Sequence, residues 1–124
     1  MADDFDTLAG VSEEGLWERL GEDVLDSPVG RDFEEAAGVL SGRFTRGERA
    51  RAVAGAWLDR NRQAVRSAIC GNDRVRSVVS SDPGAFVEIA KVVGDALIAL
   101  HLPIPIITLS ALIARKGLDW ICTD

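Results

Sequence analysis

The chain has one histidine and two cysteines in 124 residues, and no Cys-x-x-Cys pair. Three such ligands cannot complete an ordinary four-ligand zinc site within one chain, so no metal is expected. No serine stands in a Gly-x-Ser-x-Gly elbow, and Gly38-Val39-Leu40-Ser41-Gly42 has neither the spacing nor the lysine of a phosphate-cradling loop. His101 follows an apolar helical run, where an imidazole serves the negative end of a helix more readily than a reaction. These gaps exclude the common catalytic signatures. No enzyme activity, cofactor or small-molecule substrate is expected.

Basic residues are scarce at the start. Met1-Ala2-Asp3-Asp4-Phe5-Asp6 is acidic where a signal peptide needs a basic segment and then an apolar one. The expectation is a cytoplasmic protein in which Cys70 and Cys122 are reduced thiols acting as small apolar fillers. Lys91 and Lys116 are the only lysines against twelve arginines, a bias that points to a GC-rich prokaryotic gene.

What is present is sorted charge. Residues 1–35 carry twelve acids and two bases, a net of −10, whereas residues 43–76 carry nine bases and three acids, a net of +6. The whole chain stands at −6. Such asymmetry lets one stretch attract another, either inside one bundle or between copies.

Helix signals dominate. Ser12 precedes Glu13-Glu14-Gly15-Leu16-Trp17, and Ser27-Pro28 reads as a cap with proline at the first helical position. Phe33, Ala36, Ala37 and Leu40 follow at helical spacing. Thr45-Arg46-Gly47-Glu48 is a capping box, and Gly71 stands where a left-handed helix end is wanted. Between them Val53, Ala54, Trp57, Leu58, Val65, Ala68 and Ile69 predict a long central helix over about 46–70, with Gly55 and Asn61 as the points of weakness. Asn72 or Asp73 can cap the next helix, and Ser81-Asp82-Pro83 repeats the cap-then-proline pattern. An apolar helical hairpin is expected over about 84–121, broken by His101-Leu102-Pro103-Ile104-Pro105. The fold class is all-α, a compact single-domain bundle of about five to seven helices spanning 1–124, with 1–11 as a flexible acidic N-terminus.

Ala96 through Ala114 contain no Asp, Glu, Lys or Arg. That length approaches a membrane span, but two prolines and His101 fall inside it, so a buried hairpin explains the pattern better than insertion. The three tryptophans sit on apolar helix faces, with Trp120 able to face partly outward. The arginine stretch has no interleaved aromatic other than Phe44 and Trp57 and no helix-turn-helix turn, which argues against nucleic acid.

The function expected is a non-enzymatic protein–protein interaction or adapter module with oppositely charged helix faces. Glu34 and Glu35 on one face and Arg62 and Arg66 on another are the candidate partner-binding residues, the partner being a second copy or another protein. In architecture, though in no residue motif, this is similar to death-fold adapters, six-helix domains of about this size that assemble through charged helix faces. That likeness implies self-assembly. The ending Pro103-Ile104-Pro105 through Gly117-Leu118-Asp119-Trp120-Ile121-Cys122 resembles small helical proteins of bacterial conflict systems, which implies a prokaryotic signalling or conflict setting. The alternatives are a membrane-active effector inserting the Ala85–Cys122 hairpin, and an acidic regulator that inhibits a nucleic-acid-binding partner.

Overall fold

The Thr45–Glu48 box forms as its spacing requires. Thr45 Oγ1 accepts from the Glu48 N–H at 3.1 Å, and Glu48 Oε1 accepts from the Thr45 N–H at 3.2 Å. It opens the longest element of a computed structural model that describes residues 5–37 and 45–123, with only the backbone of Ala36 and Ala37. Leu40, Arg43, Phe44 and the Gly38–Gly42 segment lie outside the described residues.

In chain order the helices are α1 (Phe5–Ala9), α2 (Glu13–Leu25), α3 (Gly30–Ala37), α4 (Arg46–Ile69), α5 (Asp73–Ser81), α6 (Phe86–Ile98), α7 (Ile106–Lys116) and α8 (Leu118–Cys122). Among the described residues there is no strand, and six of these helices have eight residues or more. The chain is an all-α bundle.

Helix α4 is the spine, 24 residues without interruption and so about 36 Å long. Neither weak point breaks it: Asn61 Nδ2 donates to the Trp57 carbonyl at 2.9 Å, inside the helix. Ala50, Val53, Ala54, Trp57, Leu58, Val65 and Ile69 make its buried stripe. Helix α2, capped by Ser12 Oγ accepting from Gly15 N at 3.0 Å, lays Leu16, Leu20 and Val24 against α4 and α7. Helices α6 and α7 close the core as an antiparallel pair, burying Ile89, Val92, Val93, Leu97, Leu109, Leu112 and Ile113. Their polar stripe, Glu88, Lys91 and Asp95, is exposed. Among the described residues, no helix is long and apolar enough to cross a membrane.

Several expectations give way. Within the acidic N-terminal stretch, residues 5–9 form α1, which docks on α6 and α7 with Leu8 fully buried, so one leucine anchors that turn in the core. Ser27 and Pro28 belong to a turn in which Ser27 Oγ donates to the Val24 carbonyl at 2.6 Å, and α3 starts at Gly30. Asp82 ends α5 instead of starting α6, and Ala85 precedes α6 without a side-chain cap. Gly71 is not left-handed; among the described residues the positive-φ glycine is Gly117, at +93°, which divides the second arm of the expected hairpin into α7 and α8.

The largest correction concerns the thiols. Cys70 and Cys122 are joined in a disulfide, with Cα atoms 5.7 Å apart across a sequence separation of 52. The turn at Gly117 brings the last turn of α8 back to the C-terminal cap of α4, which puts the two side chains within bonding reach. Closing a loop of that length stabilises a fold by on the order of 4 kcal/mol in the chain-entropy account.

Candidate interaction surface

The arginines of α4 flank its buried stripe on two sides. Arg49 and Arg60 are separated by about three turns, so they share one side, and α3 lies against them. Arg49 pairs with Glu34, and the Arg60 guanidinium sits 4.7 Å over the Phe33 ring. Arg46, at the start of the helix, reaches Glu22 at 3.4 Å. The other side carries Arg51, Arg62 and Arg66. Arg51 meets Glu14 at 2.9 Å and Glu18 at 2.5 Å on α2. Much of the acidic–basic attraction in the sequence therefore closes inside one molecule, as a seam between α2, α3 and the first half of α4.

That arrangement separates the four candidate residues. Glu34 is taken up by Arg49. Among the described residues Glu35 makes a long contact with Arg31, at 4.0 Å between side chains 59% and 86% exposed. Arg62 lies 5.6 Å over the Trp120 ring, and Arg66 donates to the Cys122 carbonyl at 3.3 Å. Glu34 and Glu35 stand on the α3 side of the spine and Arg62 and Arg66 on the α8 side, so the structure does not bring the two pairs together within one molecule.

What Arg62 joins is an aromatic–cationic patch. Trp17 of α2 and Trp120 of α8 meet edge to face, with ring centroids 5.9 Å apart. Lys116 Nζ lies 5.3 Å from the Trp120 centroid and 3.4 Å from Glu13. Four helices thus converge, and Gly117 makes this possible, since its left-handed backbone folds α8 back beside the end of α7. Both indole rings are half-buried. Cations at these distances sit within reach of a ring quadrupole, each worth about 0.5–1 kcal/mol where exposed.

Comparison with known protein families, curated proteins and solved structures gives no match.

Beside the patch lies an open cleft of about 480 Å³, lined by Cys70, Arg76, Val79, Leu118, Asp119 and Cys122. Among the described residues no three of His, Cys, Asp or Glu converge where a metal ion could sit. His101 is exposed, in a left-handed conformation with φ of 49° just after α6. The Glu48 carboxyl is held below its ordinary value by its hydrogen bonds with Thr45, side chain first and backbone second.

Sequence reasoning found Arg62 but missed Trp17, whose ring meets Trp120, and Lys116, which reaches Glu13. No local pattern could have shown them, because these contacts join residues about a hundred positions apart. The only hint was that Trp120 could face outward.

Proposed function

We propose that the chain is a non-enzymatic interaction module that docks a protein partner on the Trp17–Trp120 patch, and that the partner is a second copy of itself. The observation that carries this reading is Trp120, half-buried on a disulfide-anchored helix with two cations over its ring and Trp17 at its edge. Rigid aromatic anchors beside arginine are the usual energetic centres of protein interfaces. Glu35, loosely held on the opposite side of the spine, is an acid that Arg62 or Lys116 of another copy can meet. A contact between two different surfaces of one chain is head-to-tail and can propagate, which suits an adapter in a prokaryotic signalling or conflict system. In the cytoplasm expected for such a system, the Cys70–Cys122 bond would exchange with its dithiol form.

Light scattering across a salt series tests the reading. Mass above the monomer at low salt should fall as salt is added, and Arg62→Glu should abolish association. Mixing that variant with Glu35→Arg should restore it. Arg62 is the residue to reverse because Arg66 holds the Cys122 carbonyl, and its loss would loosen α8 as well. A wild-type mass that stays monomeric at every salt concentration overturns self-association.

A further inference from the structure

We propose that the Cys70–Cys122 disulfide is a thiol-exchange site, reduced by low-molecular-weight thiols through the cleft between α5 and α8, and that its reduction frees α8. The chemistry of exchange does not depend on the function proposed above; the consequence for docking rests on that reading, because α8 carries Trp120.

Three observations support the site. First, both cysteines line the open cleft and both are only partly buried, so a small thiol can reach a sulfur without unfolding the chain. Second, Arg76 lines the same cleft, and its side chain makes no ion pair or hydrogen bond among the described residues. Attack by a thiolate spreads one negative charge over a row of three sulfurs, and a guanidinium nearby favours both the incoming and the departing thiolate. Asp119, also in the cleft, works against Arg76. Third, α8 is a helix of five residues that follows the left-handed Gly117. A helix that short has no stability of its own. Without the bond it is held by the burial of Ile121, the Trp17–Trp120 contact and the Arg66 hydrogen bond to Cys122.

The exchange balances in two steps. A thiolate sulfur bonds to one cysteine sulfur as the Cys70–Cys122 bond breaks, and the electron pair leaves on the other cysteine. A second thiolate then attacks the mixed disulfide. Two small thiols are oxidised to one disulfide, and Cys70 and Cys122 take up protons as thiols.

The test uses the oxidised chain in native buffer with 2-mercaptoethanol, following free thiols by maleimide trapping and mass spectrometry. The rate should rise in proportion to thiolate concentration. Arg76→Gln should slow it about fivefold and Asp119→Asn should quicken it by a similar factor, as for one charge at short range near a surface. A rate independent of thiol concentration would mean that reduction waits for global unfolding, and it overturns the site, as does an unchanged rate in Arg76→Gln. Hydrogen exchange of the reduced protein and of Cys122→Ser tests the second half. Amides 118–122 should lose protection while α4 and α6 keep theirs. Equal protection of α8 in both redox states overturns its release, whatever the light-scattering result.

Discussion

Gly21 of α2 and Ala50 of α4 meet backbone to backbone: a β-carbon on Gly21 would lie 1.8 Å from the Ala50 carbonyl oxygen. No side chain stands between the two helices at this point, which is why α2 can bring its leucines onto α4. Gly21→Ala would force them apart and should cost about 3 kcal/mol in urea unfolding, at the upper end for overpacking. Gly55 is the internal control. A β-carbon there meets nothing within 4 Å, so Gly55→Ala should stabilise the protein by up to about 1 kcal/mol through helix propensity and reduced unfolded-state freedom.

The α6–α7 pair supplies a large share of the core. Leu97 and Ile113 are both fully buried, and truncating either to alanine should cost about 2–5 kcal/mol in chemical denaturation. Ile98, 58% exposed on the same helix as Leu97, is the contrast: Ile98→Ala should change stability by less than about 0.5 kcal/mol.

The seam between α2 and α4 should respond to salt. Arg51 bridges two carboxylates from a side chain one-third exposed. Arg51→Met should lower stability by about 1 kcal/mol at low ionic strength, and the difference from wild type should shrink as salt rises. Thermal unfolding of both proteins across a salt series measures it.

Glu48 gives a pH signature. Its folded carboxyl titrates below the ordinary 4.5 because Thr45 hydrogen-bonds to the ionised form. The unfolded chain therefore takes up this proton first as pH falls. The contribution of Glu48 is complete above its unfolded value and is lost as pH drops through the folded one. The stability difference between wild type and Glu48→Gln should be constant near neutrality and narrow only in the acid range, as read from urea midpoints over a pH series.

Features that a few consecutive residues decide were legible before the structure. The Thr45–Glu48 box, the Ser12 and Asn72 caps and the run from Val53 to Ile69 appear where local spacing places them. Features that depend on which element arrives next were not. Asp82-Pro83 has the composition of a helix start, yet Asp82 closes α5 because that helix runs on through Ser81. Gly71 and Gly117 look alike as helix ends, and only the return of α8 onto α4 decides which turns left-handed. The pairing of Cys70 with Cys122, and the division of the arginines between α3 and α8, are tertiary facts. Charge sorting announced that acids and bases would meet, but it could not say that Glu34 would choose Arg49 and leave Arg62 to a tryptophan.

The contacts near the two ends of the described chain bear on when the protein can fold. The Arg115 guanidinium donates to the Ala9 carbonyl across 106 positions, and Lys116 reaches Glu13 across 103. Leu8 has no core to enter until α6 and α7 have been synthesised. On the ribosome, Leu8 must therefore stay uncovered until those two helices emerge, whereas α2 can lay Leu16 on α4 well before then. Closure comes late, through contacts of high sequence separation, and should be slower than for a bundle of the same size whose helices pack only with their immediate neighbours.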